Sequence, residues 1–214
     1  EFTPATAHLL SEVCQEVRLP HGVLNIVHGL GPKVGQAMVE HPRIKAISFT
    51  GGTVTGKHIA ATAGPMFKKL SLELGGKNPN IIFEDADIEK AIKTTVNTSF
   101  LNQGEICLCG SRLLVHESLY DKVKEEMVKR AKALVVGDPQ DEKTRVGAIV
   151  SKPHYEKVLS YIELAKQEGG RVLAGGEALH PEGFESGWFI APTVIEGLGP
   201  ACRTNTEEIF GPVI

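Results

Sequence analysis

Several things are scarce in this chain of 214 residues, and each scarcity closes a route. No apolar run approaches the roughly 18 residues that a membrane-spanning helix requires. The formal net charge is only −3, from 23 Lys and Arg against 26 Asp and Glu. That leaves no basic footprint for nucleic acid and no polybasic patch for an anionic membrane. There are just four cysteines, Cys14, Cys107, Cys109 and Cys202. Two of them stand one residue apart, a poor spacing for closing on each other, and the other two are distant. The pattern argues against a secreted disulfide scaffold and for a reducing, cytoplasmic setting. Metal-binding knuckles favour CxxC, and no second Cys or His pair stands at ligand spacing, so no metal site is expected. Signal peptide, initiator Met, internal repeats and low-complexity tracts are all missing. The chain opens at EFTPAT with a helix already starting and stops at IFGPVI on an apolar run. Both ends read as cuts through a larger protein, so the chain reads as an internal fragment.

What is present has the texture of a globular protein, 42% hydrophobic and 23% charged. Thr3-Pro4 predicts a helix start with a capping hydroxyl, and Leu9, Leu10, Val13 and Val17 recur at helical spacing. VLNIVHG (23–29) reads as a strand, followed by a helix over roughly 33–40. IKAISFTGG (44–52) and KLSLELGG (69–76) read as strands flanking a helix over about 53–63. This alternation predicts part of a doubly wound parallel sheet. After Gly75-Gly76 the texture changes, so the chain divides into residues 1–75 and 76–214. NPNIIF, SRLLVHE, RVLAGGE and WFIAPTVIE read as strands of the second part. Helices are expected over 88–100, 118–134 and from Ser151 to about Gly169, with Asp85 or Asp87 starting the first.

Three stretches carry chemistry. FTGGTVTG places Gly51, Gly52 and Gly56 where a strand ends and a helix opens, which lets backbone N–H groups approach a phosphate. The spacing is not GxGxxG, and a plain tight turn explains it as well. Glu73 ends an otherwise apolar strand, at the edge where parallel sheets collect ligands. Lost hydration there would raise its pKa towards the range of a general base, unless it points outward or pairs with Lys77. LNQGEICLCGSR (101–112) follows a helix with a polar, glycine-flexed turn, a setting that suits a reactive thiol better than a core one. If the segment is extended, Cys107 and Cys109 share a face. His116 is the one nearby imidazole, a thin basis for a cysteine–histidine hydrolase.

Together these stretches resemble the aldehyde dehydrogenase superfamily from end to end. LELGGK (72–77) is similar to its glutamate signature, FLNQGEICLCGSR (100–112) to its cysteine signature and EEIFGPV (207–213) to a third hallmark. FTGGTVTG is similar to the family's cofactor turn. Glu73 and Cys107 are separated by 107 − 73 = 34 residues, as base and nucleophile are in that family. The resemblance implies an α/β fold in which residues 1–75 are the C-terminal half of an NAD-binding domain. Residues 76–214 would then be a catalytic thiol domain, truncated at its C-terminus.

It also implies roles. Cys107 would attack an aldehyde to form a thiohemiacetal, hydride would pass to the nicotinamide, and Glu73 would activate the water that hydrolyses the thioester. The backbone N–H of Cys107 would help to hold the oxyanion. Gly51, Gly52 and Gly56 would line the pyrophosphate, Glu208 would bind the nicotinamide ribose and Phe210 would pack near that ring. Glu1 would bind the adenosine ribose and favour NAD over NADP. Cys109 receives no role. The cysteine-signature wording points to 2-aminomuconic or 2-hydroxymuconic semialdehyde as substrate, with betaine-aldehyde-like and general aliphatic aldehydes as alternatives. The whole enzyme is expected to be a cytoplasmic homodimer or homotetramer that takes a small aldehyde. A non-catalytic binding or structural homologue is the reading from another class, and intact Cys107, Glu73 and Glu208 argue against it.

Overall fold

The first residues form a helix that keeps its apolar stripe outside. In the computed structural model, which describes residues 1–214, α1 spans Ala5–Glu16 and buries none of its residues. Leu9, Leu10 and Val13, with Val17 just past its end, are exposed. The expected hydroxyl cap is not made: Pro4 occupies the capping position, one residue after Thr3, and no side chain accepts there. The strand expected over 23–29 does not form either. No strand of the chain runs beside that stretch, and a lone strand leaves its N–H and C=O groups unpaired. The next helix opens as a wide π turn over Gly31–Gly35 and continues as α2, Gln36–Glu40.

β1 (Ala46–Gly51), α3 (Thr53–Ala63) and β2 (Lys69–Leu74) then make a β–α–β unit with parallel strands. Alternate residues of the two strands, Ile47, Phe49, Leu70 and Leu72, pack on buried Val39, Ile59 and Ala63. At the edge of this core Lys68 is buried, its Nζ donating to the carbonyls of Val39 and His41 where α2 ends. Unpaired carbonyls at a helix C-terminus suit a cation. These residues, Glu1–Leu74, form one compact unit, and Gly75–Ile214 form a second.

In the second unit β3 (Pro79–Ile82) and β4 (Arg112–Val115) are parallel and joined through α4 (Ile88–Phe100). Asp87 caps α4 by accepting the Lys90 N–H. The inner face of α4, with Ile92, Thr95, Val96, Ser99 and Phe100 buried, delivers the chain into the cysteine turn. Its apolar members pack with Val123, Met127 and Ala131 of α5 (Tyr120–Lys132). α6 (Lys152–Gln167) is capped by Ser151 and buries Val158 and Ile162 with Ile149, Ile190, Ile209 and Val213. Short antiparallel pairs follow, β5 (Arg171–Ala174) with β8 (Val194–Glu196), and β6 (Ala178–Leu179) with β7 (Phe189–Ile190). A four-residue helix α7 (Arg203–Thr206) leads into the final segment, which joins the sheet through a Thr193–Val213 bridge.

The side chains of His154, Lys157 and Tyr161 lie on one side of α6, at helical spacings of three and four residues. Tyr161 Oη donates to the Glu207 carboxylate at 2.5 Å, and Lys157 Nζ donates to the Glu208 carbonyl at 3.0 Å. Arg203 adds a fork onto Glu207, with Nε and Nη2 both at 2.9 Å. This guanidinium, helped by Tyr161, holds the Glu207 carboxyl down at about 2. Two outcomes follow. Ile92→Ala should lower the urea midpoint of the second unit with little change in slope, a loss of roughly 2–5 kcal/mol. A carboxyl depressed by folding contributes stability that is complete above its ordinary value of 4.5 and disappears as the pH falls towards 2. Glu207→Gln should therefore flatten the acid unfolding curve in that window, as followed by circular dichroism.

Candidate active site

The register of the first unit decides where Glu73 stands. Thr50 lies opposite Glu73 and Gly51 opposite Leu74, so Glu73 sits at the C-terminal edge of the parallel pair, beside the glycine turn. It is exposed, so the loss of hydration expected for it at that edge is not found here.

The three glycines of the turn are there for different reasons. A side chain at Gly51 would run into the Phe49 ring, and one at Gly56 would come within 2.6 Å of Leu74. Gly56 permits close packing of α3 on β2, and Gly51 leaves room for the Phe49 ring of its own strand. Gly52 caps α3 in extended backbone, with open space around it and no side chain on the first-turn N–H groups. An uncapped helix start of this kind is suited to a phosphate oxygen. Glu1 is exposed ahead of α1.

In the second unit the cysteine segment is a turn, not an extended run. Asn102, Gln103 and Gly104 take three successive left-handed conformations, with φ of 49°, 57° and 71°. Cys107 and Cys109 consequently part company: Cys107 is exposed, while Cys109 is 7% exposed and its thiol is pushed up by burial. Cys109 is a core residue, and the shared face expected of an extended segment does not exist.

The turn is pinned along its length. Asn78 Nδ2 donates to the carbonyls of Cys107 at 2.6 Å and Cys109 at 3.0 Å. Ser99 Oγ donates to the Gly110 carbonyl, Asn102 Nδ2 to the Glu105 carbonyl, and the Gly147 N–H to Gln103 Oε1. The Val150 N–H donates to Glu105 Oε1 at 3.2 Å, while burial pushes that carboxyl up. His116 is engaged elsewhere, by Ser118 and Glu84.

The third hallmark segment meets this turn directly. Any side chain at Gly104 would collide with the carbonyl oxygen of Gly211. One at Gly75 would collide with the Glu208 carboxylate, which instead accepts the Gly76 N–H at 3.3 Å. A narrow cleft lined by Gly76, Asn78, Gly104, Cys109, Glu208 and Phe210 lies between them. Nearby, burial and the Arg112 cation push Lys77 down to about 8, with the Glu208 carboxylate working the other way.

The structure thus places Glu73 with Gly51, Gly52 and Gly56 in one unit, and Cys107 with Glu208 and Phe210 in the other. Sequence reasoning missed Asn78, Glu105, His154, Lys157 and Tyr161. Asn78 had no signal beyond its place after GGK. The α6 residues had one, the polar spacing in HYEKVLSY, which was masked by the apolar periodicity of the same helix. No group of three His, Cys, Asp or Glu side chains could hold a metal ion, and no helix is long and apolar enough to cross a membrane.

The chain is similar over its whole length to known proteins. The chain is 47% identical over 216 residues to mouse 2-aminomuconic semialdehyde dehydrogenase, covering 100% of this chain and 44% of that one. It is 45% identical to 4-trimethylaminobutyraldehyde dehydrogenase A of Danio rerio, again over 100% of this chain and 42% of the relative. Among solved structures, betaine aldehyde dehydrogenase from Staphylococcus aureus, crystallised with NAD+, superposes with a TM-score of 0.96 at 40% identity. That match covers 99% of this chain and 42% of the other. The chain therefore spans less than half the length of the relatives it matches. The profile of the aldehyde dehydrogenase family matches residues 1–214, and the chain belongs to that family.

Proposed function

We propose that this chain supplies the catalytic thiol and part of the cofactor site of an NAD-dependent aldehyde dehydrogenase. Residues 1–75 are then the C-terminal half of its NAD-binding domain and residues 76–214 its catalytic domain. The observation that carries the reading is the cysteine turn: one exposed thiol, a buried companion, and a backbone pinned from both sides.

The Cys107 thiolate adds to the carbonyl carbon of the aldehyde, forming a thiohemiacetal. The Ile106 carbonyl accepts the Cys109 N–H at 3.0 Å, which fixes the 106–107 peptide plane. In a planar trans peptide the N–H points opposite to the C=O, so the Cys107 N–H is turned away from the bend and towards a developing oxyanion. Bound NAD supplies the hydride acceptor that turns the thiohemiacetal into a thioester. Glu73 takes a proton from water, whose oxygen attacks the thioester, releasing the carboxylic acid and the Cys107 thiolate.

The residues fit such a dinucleotide. The open Gly52 at the start of α3 suits the pyrophosphate, with Gly51 and Gly56 giving the turn its tight packing. Glu208, fixed by the Gly76 N–H, presents a carboxylate for ribose hydroxyls, and Phe210 stands beside it. Glu1 on the adenosine ribose would repel a 2′-phosphate and favour NAD over NADP.

A muconic semialdehyde, 2-aminomuconic or 2-hydroxymuconic, is the substrate class we favour, supported by the 47% identity to the mouse enzyme of that name. Aldehydes carrying a quaternary ammonium are the second reading, supported by the 45% identity to the trimethylaminobutyraldehyde enzyme. A reducing cytoplasm suits four free cysteines, and the whole enzyme would work as a homodimer or homotetramer. The test is NADH formation by the full-length enzyme with anionic, cationic and plain aliphatic aldehydes. Cys107→Ala should lower turnover by at least about a thousandfold, and Glu73→Gln should give a burst of one NADH per site followed by slow turnover. Full activity of Cys107→Ala would end this reading, and preference for a cationic aldehyde would replace the muconate assignment.

A further inference from the structure

Phe210 has φ of +63°, a left-handed conformation that a bulky side chain rarely adopts, so the surroundings must hold it. What holds it is α6. His154 Nε2 donates to the Phe210 carbonyl at 2.6 Å, and the two rings meet edge-on at 69°, centroids 5.9 Å apart. Lys157 and Tyr161 continue the contact along the preceding residues, on Glu208 and Glu207.

His154 also faces the cysteine turn. Glu105 Oε1 lies 3.5 Å from the same Nε2, and the side chains of His154 and Glu105 are only 17% and 8% exposed. A carbonyl oxygen only accepts, so Nε2 carries a proton. The charged groups around the ring are Glu105 from the turn, Glu208 from the last segment and Lys157 from its own helix. Burial pushes His154 down and Glu105 up, which favours the neutral ring, whose single N–H on Nε2 is directed at the Phe210 carbonyl while Glu105 Oε1 packs beside it at 3.5 Å.

We propose that His154 is a positioning residue that locks the cysteine turn and the Glu208–Phe210 segment in one alignment. It thereby sets both the grip on the dinucleotide and the reactivity of the Cys107 thiol. The first consequence rests on the NAD-dependent reading above, whereas the second can be measured without any cofactor.

The experiment compares the full-length enzyme with His154→Phe, which keeps a ring but loses the N–H, and His154→Gln, which keeps an N–H donor. Loss of a buried hydrogen bond of this kind should raise KM for NAD about tenfold in His154→Phe, with kcat within about threefold of the original. Carbamidomethylation of Cys107 by iodoacetamide without NAD, followed by peptide mass spectrometry, should change in rate by about threefold or more in the same variant. His154→Gln should bring both quantities back to within about twofold of the original. If His154→Phe leaves both unchanged, or His154→Gln is no better than His154→Phe, the proposal is wrong. Should His154→Phe fail to fold, His154→Asn takes its place. The shorter amide should be impaired where Gln is not, and equal behaviour of the two amides overturns the proposal. An enzyme that forms no NADH with any aldehyde would defeat the NAD-dependent reading, and the alkylation rates would still decide the role of His154.

Discussion

The second unit turns on a contact with no room in it. Gly104, in left-handed backbone, lies so close to the Gly211 carbonyl that no side chain would fit between them. This approach brings the turn that ends in Cys107 against the segment that carries Glu208 and Phe210, two stretches more than a hundred residues apart in the chain. Long-range backbone contacts of this kind close large loops, and their entropic cost must be offset nearby. The offset comes from packed side chains on both flanks. Phe100 lies one residue before the turn in the core shared by α4 and α5, while Ile209 and Val213 are buried against Val158 and Ile162 of α6.

Polar contacts then refine what the apolar core only approximates. Asn78 holds two carbonyls of the cysteine turn, and Gln103 and Glu105 tie it to residues 147–150. On the far side, α6 meets the 207–210 segment with His154, Lys157 and Tyr161 in succession. Most of these groups are half-buried, where an unmet donor or acceptor is costly, so each bond restricts the backbone as well as stabilising it. The nucleophile proposed at Cys107 would need that restriction. Attack on a carbonyl depends on a fixed approach of the sulfur, and an oxyanion donor must already point the right way when charge develops.

How much of this could be read from the residues depends on the range of the interaction. Local signals worked: Asp87 caps α4, Ser151 caps α6, and the period-two runs at 46–51 and 69–74 pair in parallel. The three hallmark stretches led to the right family because their chemistry is written in consecutive residues. Signals that need a partner failed. VLNIVHG has the composition of a strand but no neighbour to bond with, whereas the turn expected in LNQGEICLCGSR is present, with left-handed backbone at Asn102, Gln103 and Gly104. The exposure of Glu73 and the burial of Cys109 are likewise properties of the surroundings and not of the local sequence. His154, Lys157 and Tyr161 escaped notice because their partners lie some fifty residues further on, at Glu207, Glu208 and Phe210.

The central proposal is chemical: Cys107 would carry the acyl group and Glu73 would release it. The most direct measurement is to mix full-length Glu73→Gln enzyme with NAD and an aldehyde, quench in acid within seconds, and map the cysteine peptides by mass spectrometry. The account predicts the mass of one acyl group on the peptide containing Cys107, removed by hydroxylamine, with Cys14, Cys109 and Cys202 unmodified. An acyl group on another residue, or none while NADH accumulates, would contradict it.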